Sequence, residues 1–176
     1  PLVELQAFVS LMPSEIKPIP IGSIAPDFET TDDRGVEYSK SALLGSKYLL
    51  YFYPKDNTPG CSIQACGFRD LMKEFSKENV IILGVSGGDK TSHKKFRKKL
   101  NLPFPLLLDQ DFRIAKSFGV FGEKKFMGKV FDGIHRTSFY IDAAGYVIKT
   151  YLRVKAKDHP KQFLSDLLQS EKTTSS

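Results

Sequence analysis

The most constraining feature of the sequence is the stretch from residue 48 to residue 70, which holds both cysteines of the chain. Its first six residues are apolar and rich in aromatics and end at Pro54, a pattern typical of a strand buried on both faces. A turn composition follows. Thr58 and Pro59 then resemble an N-cap residue and a proline at the first helical position, where no amide hydrogen is needed. The pattern therefore predicts a buried strand, a turn and a helix that begins at Pro59.

The predicted helix carries apolar residues at three- and four-residue intervals, so one of its faces should pack on the sheet. These residues are Ala65, Phe68, Leu71, Met72 and Phe75. Cys61 falls in the first turn, where unpaired amides and the positive end of the helix dipole favour an anion. Because a thiolate is the attacking form of cysteine, Cys61 is the better nucleophile of the two.

Cys66 lies five residues after Cys61. In a regular helix this spacing separates the two side chains by roughly 140° and their Cα atoms by about 8 to 9 Å. A disulfide requires Cα atoms less than about 7 Å apart. The two cysteines are therefore either free thiols or a redox pair that reacts only when the helix unwinds.

The same stretch resembles the active-site segment of peroxiredoxins, in particular the Q type, also called bacterioferritin comigratory proteins. The motif of that family is proline, three residues, threonine, two residues and cysteine, and Pro54, Thr58 and Cys61 match it. Arg136, in the segment HRTSFYID, matches the arginine on which the family's activity depends. The resemblance extends from about residue 25 to residue 168.

The resemblance implies a thiol peroxidase in which Cys61 is the peroxidatic cysteine and Cys66 the resolving cysteine. It implies that Arg136 stabilises the thiolate and the peroxide, that Thr58 orients the substrate and that Pro54 shields the sulfur from water. The expected substrates are hydrogen peroxide and alkyl hydroperoxides, the expected reductant is thioredoxin, and no metal, haem or flavin cofactor is implied. Gln64 occupies a position where some relatives carry glutamate, so a role of that side chain in proton transfer stays open.

Other interpretations of the same residues remain to be weighed. Cysteine is often a small buried apolar residue, and a zinc site would need two more ligands than this spacing supplies. A redox sensor or holdase chaperone on the same fold is an alternative function, whereas a disulfide reductase would normally have two residues between its cysteines. Three histidines lie in charged or loop-like segments and are predicted to be at the surface: His93, His135 and His159.

The remaining pattern predicts an α/β chain with a thioredoxin-like fold, a central mixed β-sheet flanked by helices in a single domain. Strands are expected at residues 25–30, 36–38, 80–85, 106–108, 137–141 and 146–152, and helices at 41–44, 91–100, 111–118 and 158–168. A long glycine-rich loop is expected at 119–134. The basic run at 94–99 is interpreted as the solvated face of a helix rather than a nucleic-acid patch.

The chain is divided into an N-terminal extension (1–24), a thioredoxin-like peroxiredoxin domain (25–170) and a disordered tail (171–176). The apolar segment near the N-terminus is too short and too mixed for a membrane span, and a net charge of +6 does not indicate nucleic-acid binding. Two cysteines do not make a disulfide framework, so a reducing compartment, the cytoplasm, is expected. A monomer is expected, Met12 is a candidate original start, and an organellar location stays open if a targeting segment has been removed.

Overall fold

The computed structural model describes residues 16–174, which contain nine strands and six helices. The strands are β1 (Glu29–Thr31), β2 (Glu37–Ser39), β3 (Lys47–Phe52), β4 (Val80–Ser86), β5 (Leu106–Leu108), β6 (Phe121–Phe126), β7 (Lys129–Ile134), β8 (Thr137–Ile141) and β9 (Val147–Tyr151). The helices are α1 (Lys40–Leu43), α2 (Pro59–Asp70), α3 (Met72–Lys77), α4 (Lys90–Leu100), α5 (Arg113–Ser117) and α6 (His159–Thr174). The expectation that Met12 is the original start lies outside the described residues.

The central sheet has five strands in the order β5-β4-β3-β8-β9. β3, β4 and β5 run parallel, whereas β8 is antiparallel to both β3 and β9. The predicted mixed sheet flanked by helices is therefore confirmed. β3 lies in the middle and ends at Phe52, so the turn that carries Pro54 leaves the sheet at its carboxyl edge.

β3 is buried on both faces, as its unbroken apolar run predicts. Successive side chains of a strand point to opposite faces. Tyr48, Leu50 and Phe52 accordingly belong to one core cluster. Their neighbours Leu49 and Tyr51 belong to the other, which also takes in the apolar face of α2.

Helix α2 begins at Pro59 as predicted, but the helical pattern through Phe75 is divided into two helices. α2 ends at Asp70, and Leu71 has φ −107° and ψ 10°, after which α3 begins. α2 packs closely on the start of α6 at Gly67. A β-carbon added there would lie only 2.7 Å from Pro160 Cγ.

The prediction of a long loop at 119–134 is wrong, because these residues form the antiparallel hairpin β6–β7. Its turn residues Met127 and Gly128 have φ of 50° and 78°, and two consecutive positive φ angles fit the right-handed twist of a two-residue hairpin. Most side chains of the hairpin are exposed, so the sequence lacks the apolar alternation by which strands are recognised. The glycine at the second turn position, Gly128, was the sequence feature that could have indicated a hairpin.

The segments on either side of the predicted domain are partly ordered in the structure. Part of the N-terminal extension lies on the domain, since Ile19 N donates to Phe118 O at 3.2 Å and Gly22 N donates to Val147 O at 2.7 Å. Helix α6 continues to Thr174 rather than ending at residue 168. The predicted disordered tail is therefore helical over residues 171–174, and residues 175–176 lie outside the described part of the chain.

Two phenylalanines, one buried and one exposed, provide a test of where the core lies. Phe139 of β8 is fully buried, whereas Phe126 at the hairpin tip is 68% exposed. Phe139→Ala is expected to lower the free energy of unfolding by about 3 to 5 kcal/mol through lost burial and a residual cavity. Phe126→Ala is the control and should change it by less than about 0.5 kcal/mol. Urea denaturation measures both, and equal effects would contradict the placement of the core.

Candidate active site

The first turn of α2 places Cys61 at the amino end of the helix. Thr58 occupies the N-cap position with φ −106° and ψ 155°, and Ser62 N donates to Thr58 O at 2.9 Å. The amides of Gly60 and Cys61 come before this hydrogen bond, in the group of helix amides that have no partner within the helix. Cys61 is 2% exposed. Its sulfur therefore lies in a dry environment beside the positive end of a helix dipole.

Arg136 lies between β7 and β8 and reaches this helix end with its guanidinium. Nη2 is 3.4 Å from Cys61 Sγ, and Nη1 donates to Gln64 Oε1 at 2.6 Å. A β-carbon added at Gly60 would lie 3.1 Å from Nη2, so the absence of a side chain there leaves room for the guanidinium. A permanent cation at this distance can stabilise negative charge that develops at the site.

Gln64, whose role the sequence left open, is fully buried and orients Arg136. Its Oε1 is the acceptor for the arginine, while its Nε2 has no hydrogen-bond partner among the described residues. Because an amide is neutral, it fixes the guanidinium without offsetting the positive charge that Cys61 meets. A carboxylate at this position would offset part of that charge.

Thr58 and Pro54 border the same helix end. Thr58 is the N-cap residue as predicted, but its Oγ1 donates to Lys55 O at 2.9 Å and makes no capping bond. The lone pairs of that hydroxyl therefore remain available to accept a hydrogen bond. Pro54 is half-buried in the turn that leads from β3 to the helix.

Cys66 lies on the same unbroken helix as Cys61, and both are free thiols. The side chain of Cys66 is half-buried, whereas Phe68 two residues later is fully buried and stacks on Tyr51 with ring centroids 4.7 Å apart. Bringing the two sulfurs together thus requires the helix to unwind beside a well-packed aromatic pair.

Lys124 is a second cation near the site, and sequence reasoning missed it because its segment was predicted to be a loop. Its Nζ donates to Ile134 O at 2.9 Å. Burial lowers the pKa of Lys124, and the positive charge of Arg136 lowers it further, while Cys61 acts in the opposite direction. The hairpin β6–β7 therefore brings Lys124 into electrostatic contact with the Arg136–Cys61 pair.

The prediction that the histidines lie at the surface is wrong for two of them, since His93 and His159 are fully buried. His159 Nε2 and Ser138 Oγ share a hydrogen bond of 2.8 Å. Burial lowers the pKa of His159 to about 4, and the charge of Arg136 contributes to this shift. Both histidines come from helices with charged sequences, which carry no signal for a buried polar residue. His135 is half-buried.

The basic run at 94–99 lies on α4, and its lysines are mostly solvent-exposed as predicted. Arg97 differs because its Nη2 pairs with buried Asp33 Oδ2 at 2.7 Å. Within residues 16–174, no group of three or more His, Cys, Asp or Glu side chains is placed to hold a metal ion.

A buried sulfur at a helix start, contacted by a permanent cation, is suited to nucleophilic attack on a polar bond whose leaving group needs stabilisation. The sheet order, the helix that carries both thiols and this cation define a thiol-dependent peroxidase of thioredoxin-like fold.

Comparisons with known proteins agree. The model of the AhpC/TSA family matches residues 21–150. The chain is 44% identical to "Peroxiredoxin Bcp" of Bacillus subtilis over 149 residues, which is 85% of this chain and 95% of that protein. It is also 44% identical to "Peroxiredoxin Bcp" of Escherichia coli K12 over 144 residues, 82% of this chain and 92% of that one. Among solved structures, a cysteine-to-serine mutant of Xylella fastidiosa PrxQ has a TM-score of 0.82 at 30% identity, with 88% and 99% of the two chains covered.

The chain belongs to the AhpC/TSA family, and its resemblance to peroxiredoxins of the Q type is confirmed. The thioredoxin-like fold that the resemblance implied is confirmed as well.

Replacement of Arg136 tests the contact with Cys61. Arg136→Met should slow the oxidation of Cys61 by peroxide by about 10² to 10³-fold, because a positioned cationic donor is lost. Arg113→Met is the control, since Arg113 is 86% exposed and pairs only with Asp111 in the described structure. Stopped-flow oxidation by hydrogen peroxide measures the rate in both variants. An unchanged rate in Arg136→Met would remove Arg136 from the site.

Proposed function

We propose that Cys61 is the peroxidatic cysteine and Cys66 the resolving cysteine of this peroxidase, which reduces hydrogen peroxide and alkyl hydroperoxides. The observation that carries the proposal is the 3.4 Å contact between Arg136 Nη2 and Cys61 Sγ at the start of α2. Reduction of alkyl peroxides is further supported by a structural neighbour, the Xanthomonas campestris bacterioferritin comigratory protein, whose structures were determined in connection with its alkyl peroxide reduction activity.

In the first step the Cys61 thiolate attacks the terminal oxygen of the hydroperoxide. A sulfur–oxygen bond forms, the oxygen–oxygen bond breaks, and the leaving oxygen takes a proton to depart as water or an alcohol. Arg136 stabilises the negative charge as it moves from sulfur to the leaving oxygen. The Thr58 hydroxyl accepts a hydrogen bond from the peroxide, since its own proton is donated to Lys55 O. Pro54 limits the access of water to the sulfur.

In the second step Cys66 attacks the sulfenic sulfur of Cys61. A disulfide forms and the hydroxyl group leaves as water after taking the proton from the Cys66 thiol. The disulfide is then reduced by two electrons from an external dithiol, for which we propose thioredoxin on the basis of the family resemblance.

We further propose a cytoplasmic monomer in which residues 25–170 form the catalytic domain. No helix between residues 16 and 174 is long and apolar enough to cross a membrane.

A second candidate function, that of a redox sensor or holdase, is favoured by the tip of the β6–β7 hairpin. Phe126, Met127 and Val130 are all more than half exposed there, and clustered exposed apolar side chains are typical of surfaces that bind partners. Sustained peroxide consumption with a thioredoxin system distinguishes the two functions, because a sensor would stop after one oxidation.

Serine substitutions separate the roles of the two cysteines. Cys61→Ser should abolish peroxide consumption, because no thiolate remains at the helix start. Cys66→Ser should still consume one equivalent of peroxide rapidly and then stop unless a small thiol is added. A coupled thioredoxin assay and a single-turnover measurement test both variants. Normal steady-state turnover by Cys66→Ser with thioredoxin would show that Cys66 is not the resolving cysteine.

The geometry of α2 predicts that disulfide formation unwinds it locally. About one and a half turns would be lost, releasing several backbone hydrogen bonds worth roughly 0.5 to 1.5 kcal/mol each. Amides of residues 61–68 should therefore exchange faster with solvent in the oxidised protein than in the reduced one. Amides of β3 serve as the internal control, since the strand is buried in both forms. Equal protection of residues 61–68 in both forms would rule out the intramolecular step.

A further inference from the structure

Asp56, in the turn between β3 and α2, has a buried carboxylate that accepts three hydrogen bonds from side chains. Tyr53 Oη donates to Oδ1 at 2.6 Å, and Ser92 Oγ donates to Oδ2 at 2.8 Å. His93 Nδ1 also contacts Oδ2 at 2.6 Å. The carboxylate of Asp56 therefore joins the active-site turn to the first turn of α4.

The ring of His93 faces an acceptor on each side. Nε2 lies 2.9 Å from the carbonyl oxygen of Leu107, which can only accept, and Nδ1 faces the Asp56 carboxylate. A neutral imidazole has one N–H and cannot donate in both directions. The hydroxyl groups of Tyr53 and Ser92 favour the ionised form of Asp56, so the arrangement is that of an imidazolium paired with a carboxylate.

We propose that His93, through this ion pair with Asp56, is a positioning residue that holds the turn at residues 54–58 and thereby the start of α2 in the geometry needed for peroxide reduction. The proposal rests on the proposed role of Cys61 but adds a residue that touches neither the sulfur nor its arginine in the described structure. His93 acts through Asp56, which lies five residues before the nucleophile.

The turn has few other attachments that could replace this pair. Asn57 has a φ of 58° and its Oδ1 accepts from Lys99 Nζ at 2.7 Å, an exposed contact with the same helix α4. The space around the pair is also filled, because a β-carbon at Gly88 would overlap Asp56 Oδ2 and approach His93 Nδ1. Water therefore has little room to replace a lost partner of the carboxylate.

Asp56 and Tyr53 face His93 from the active-site turn, the ring centroid of Tyr53 lying 6.3 Å from that of the histidine. The Leu107 carbonyl of β5 faces its other nitrogen, and Asp33 of the β1–β2 turn, which is already paired with Arg97 of α4, acts on it through its charge. Burial lowers the pKa of His93, but Asp56 outweighs burial and raises it above the usual value. Burial raises the pKa of Asp56, but its hydrogen bonds with His93, Tyr53 and Ser92 lower it below the usual value.

The signs of these shifts fix the pH range of the ion pair. The contribution of His93 to stability is fully present below the unfolded pKa of about 6.5 and is lost as the pH rises through the raised folded value. The contribution of Asp56 is present above about 3.9 and is lost as the pH falls through its lowered value. Loss of the proton at alkaline pH would leave a nitrogen lone pair facing a buried carboxylate.

The hydrogen-bonding groups of His93 and Asp56 allow a test with a single variant and a compensating double variant. In His93→Gln, an amide that donates to Leu107 O must present its oxygen to the Asp56 carboxylate, which creates a mismatch. In Asp56→Asn/His93→Gln, the new Asn amide donates to that oxygen, and the mismatch is removed without restoring any charge. Both are made in the Cys66→Ser background, where stopped-flow oxidation of Cys61 by hydrogen peroxide reports the first step alone.

We expect His93→Gln to slow this oxidation by at least about tenfold, since small displacements of a reacting group are costly. The double variant should return to within about threefold of the rate of the Cys66→Ser protein without further substitutions. Lys95→Gln, at an exposed position of α4, is the control and should leave the rate unchanged. A normal rate in His93→Gln, or a folded double variant that stays as slow as His93→Gln, overturns the proposal.

If His93→Gln does not fold, Asp56→Asn provides the measurement. Its amide can donate to Nδ1 of a neutral His93, so the turn stays attached and its attachment no longer depends on pH. The oxidation rate of the reference protein should fall on the alkaline side of its pH profile, and that of Asp56→Asn should not. The same alkaline fall in both proteins overturns the proposal. A reference protein that does not react with peroxide at all would instead refute the proposed function.

Discussion

The contact between the Arg136 guanidinium and the Cys61 sulfur joins residues 75 positions apart, and the register of two central strands produces it. β3 and β8 pair so that Phe52 is opposite Thr137. Arg136 immediately precedes Thr137, and the active-site turn immediately follows Phe52, so both leave the sheet at the same edge. A shift of one residue in this pairing would direct alternate side chains to the wrong face and separate the cation from the thiol. The chemistry therefore depends on the burial of β3, which fixes that register.

Helix α2 has to meet two opposing requirements. To hold the thiolate it must remain wound, because only a wound helix directs its free amides toward Cys61. To form a disulfide with Cys66 it must unwind over about one and a half turns. The structure confines this region at its carboxyl end: Asp70 and Leu71 end the helix, and Gly67 lies against Pro160 of α6. The break at Leu71 separates α3 from the unwinding segment, so Phe75 can stay in the core while α2 rearranges.

The sequence predicts the features that depend on local patterns and misses those that depend on distant partners. The start of α2 at Pro59 and the double-sided burial of β3 follow from proline placement and an unbroken apolar run. The β6–β7 hairpin was missed because its side chains face solvent, and with it Lys124 was missed. Thr58 is the N-cap residue as its sequence position predicts, but its hydroxyl donates to the carbonyl of Lys55, which the sequence did not indicate. The contact of Arg136 with Cys61 was expected only from the family resemblance, since nothing local relates the two residues.

The two buried histidines show why charge state could not be read from the sequence. Both are fully buried, and burial favours the neutral form of each. At His93 a carboxylate and a carbonyl face the two nitrogens, and the ring is cationic. At His159 the partner is the Ser138 hydroxyl, the cation of Arg136 is near, and the ring is neutral with a pKa of about 4. A protonated His159 would place a further positive charge near Arg136 in a site of low dielectric. Because His159 is neutral, the positive charge near Cys61 comes from Arg136 and Lys124. The positive charge of His93 is balanced by Asp56, and this pair holds the turn.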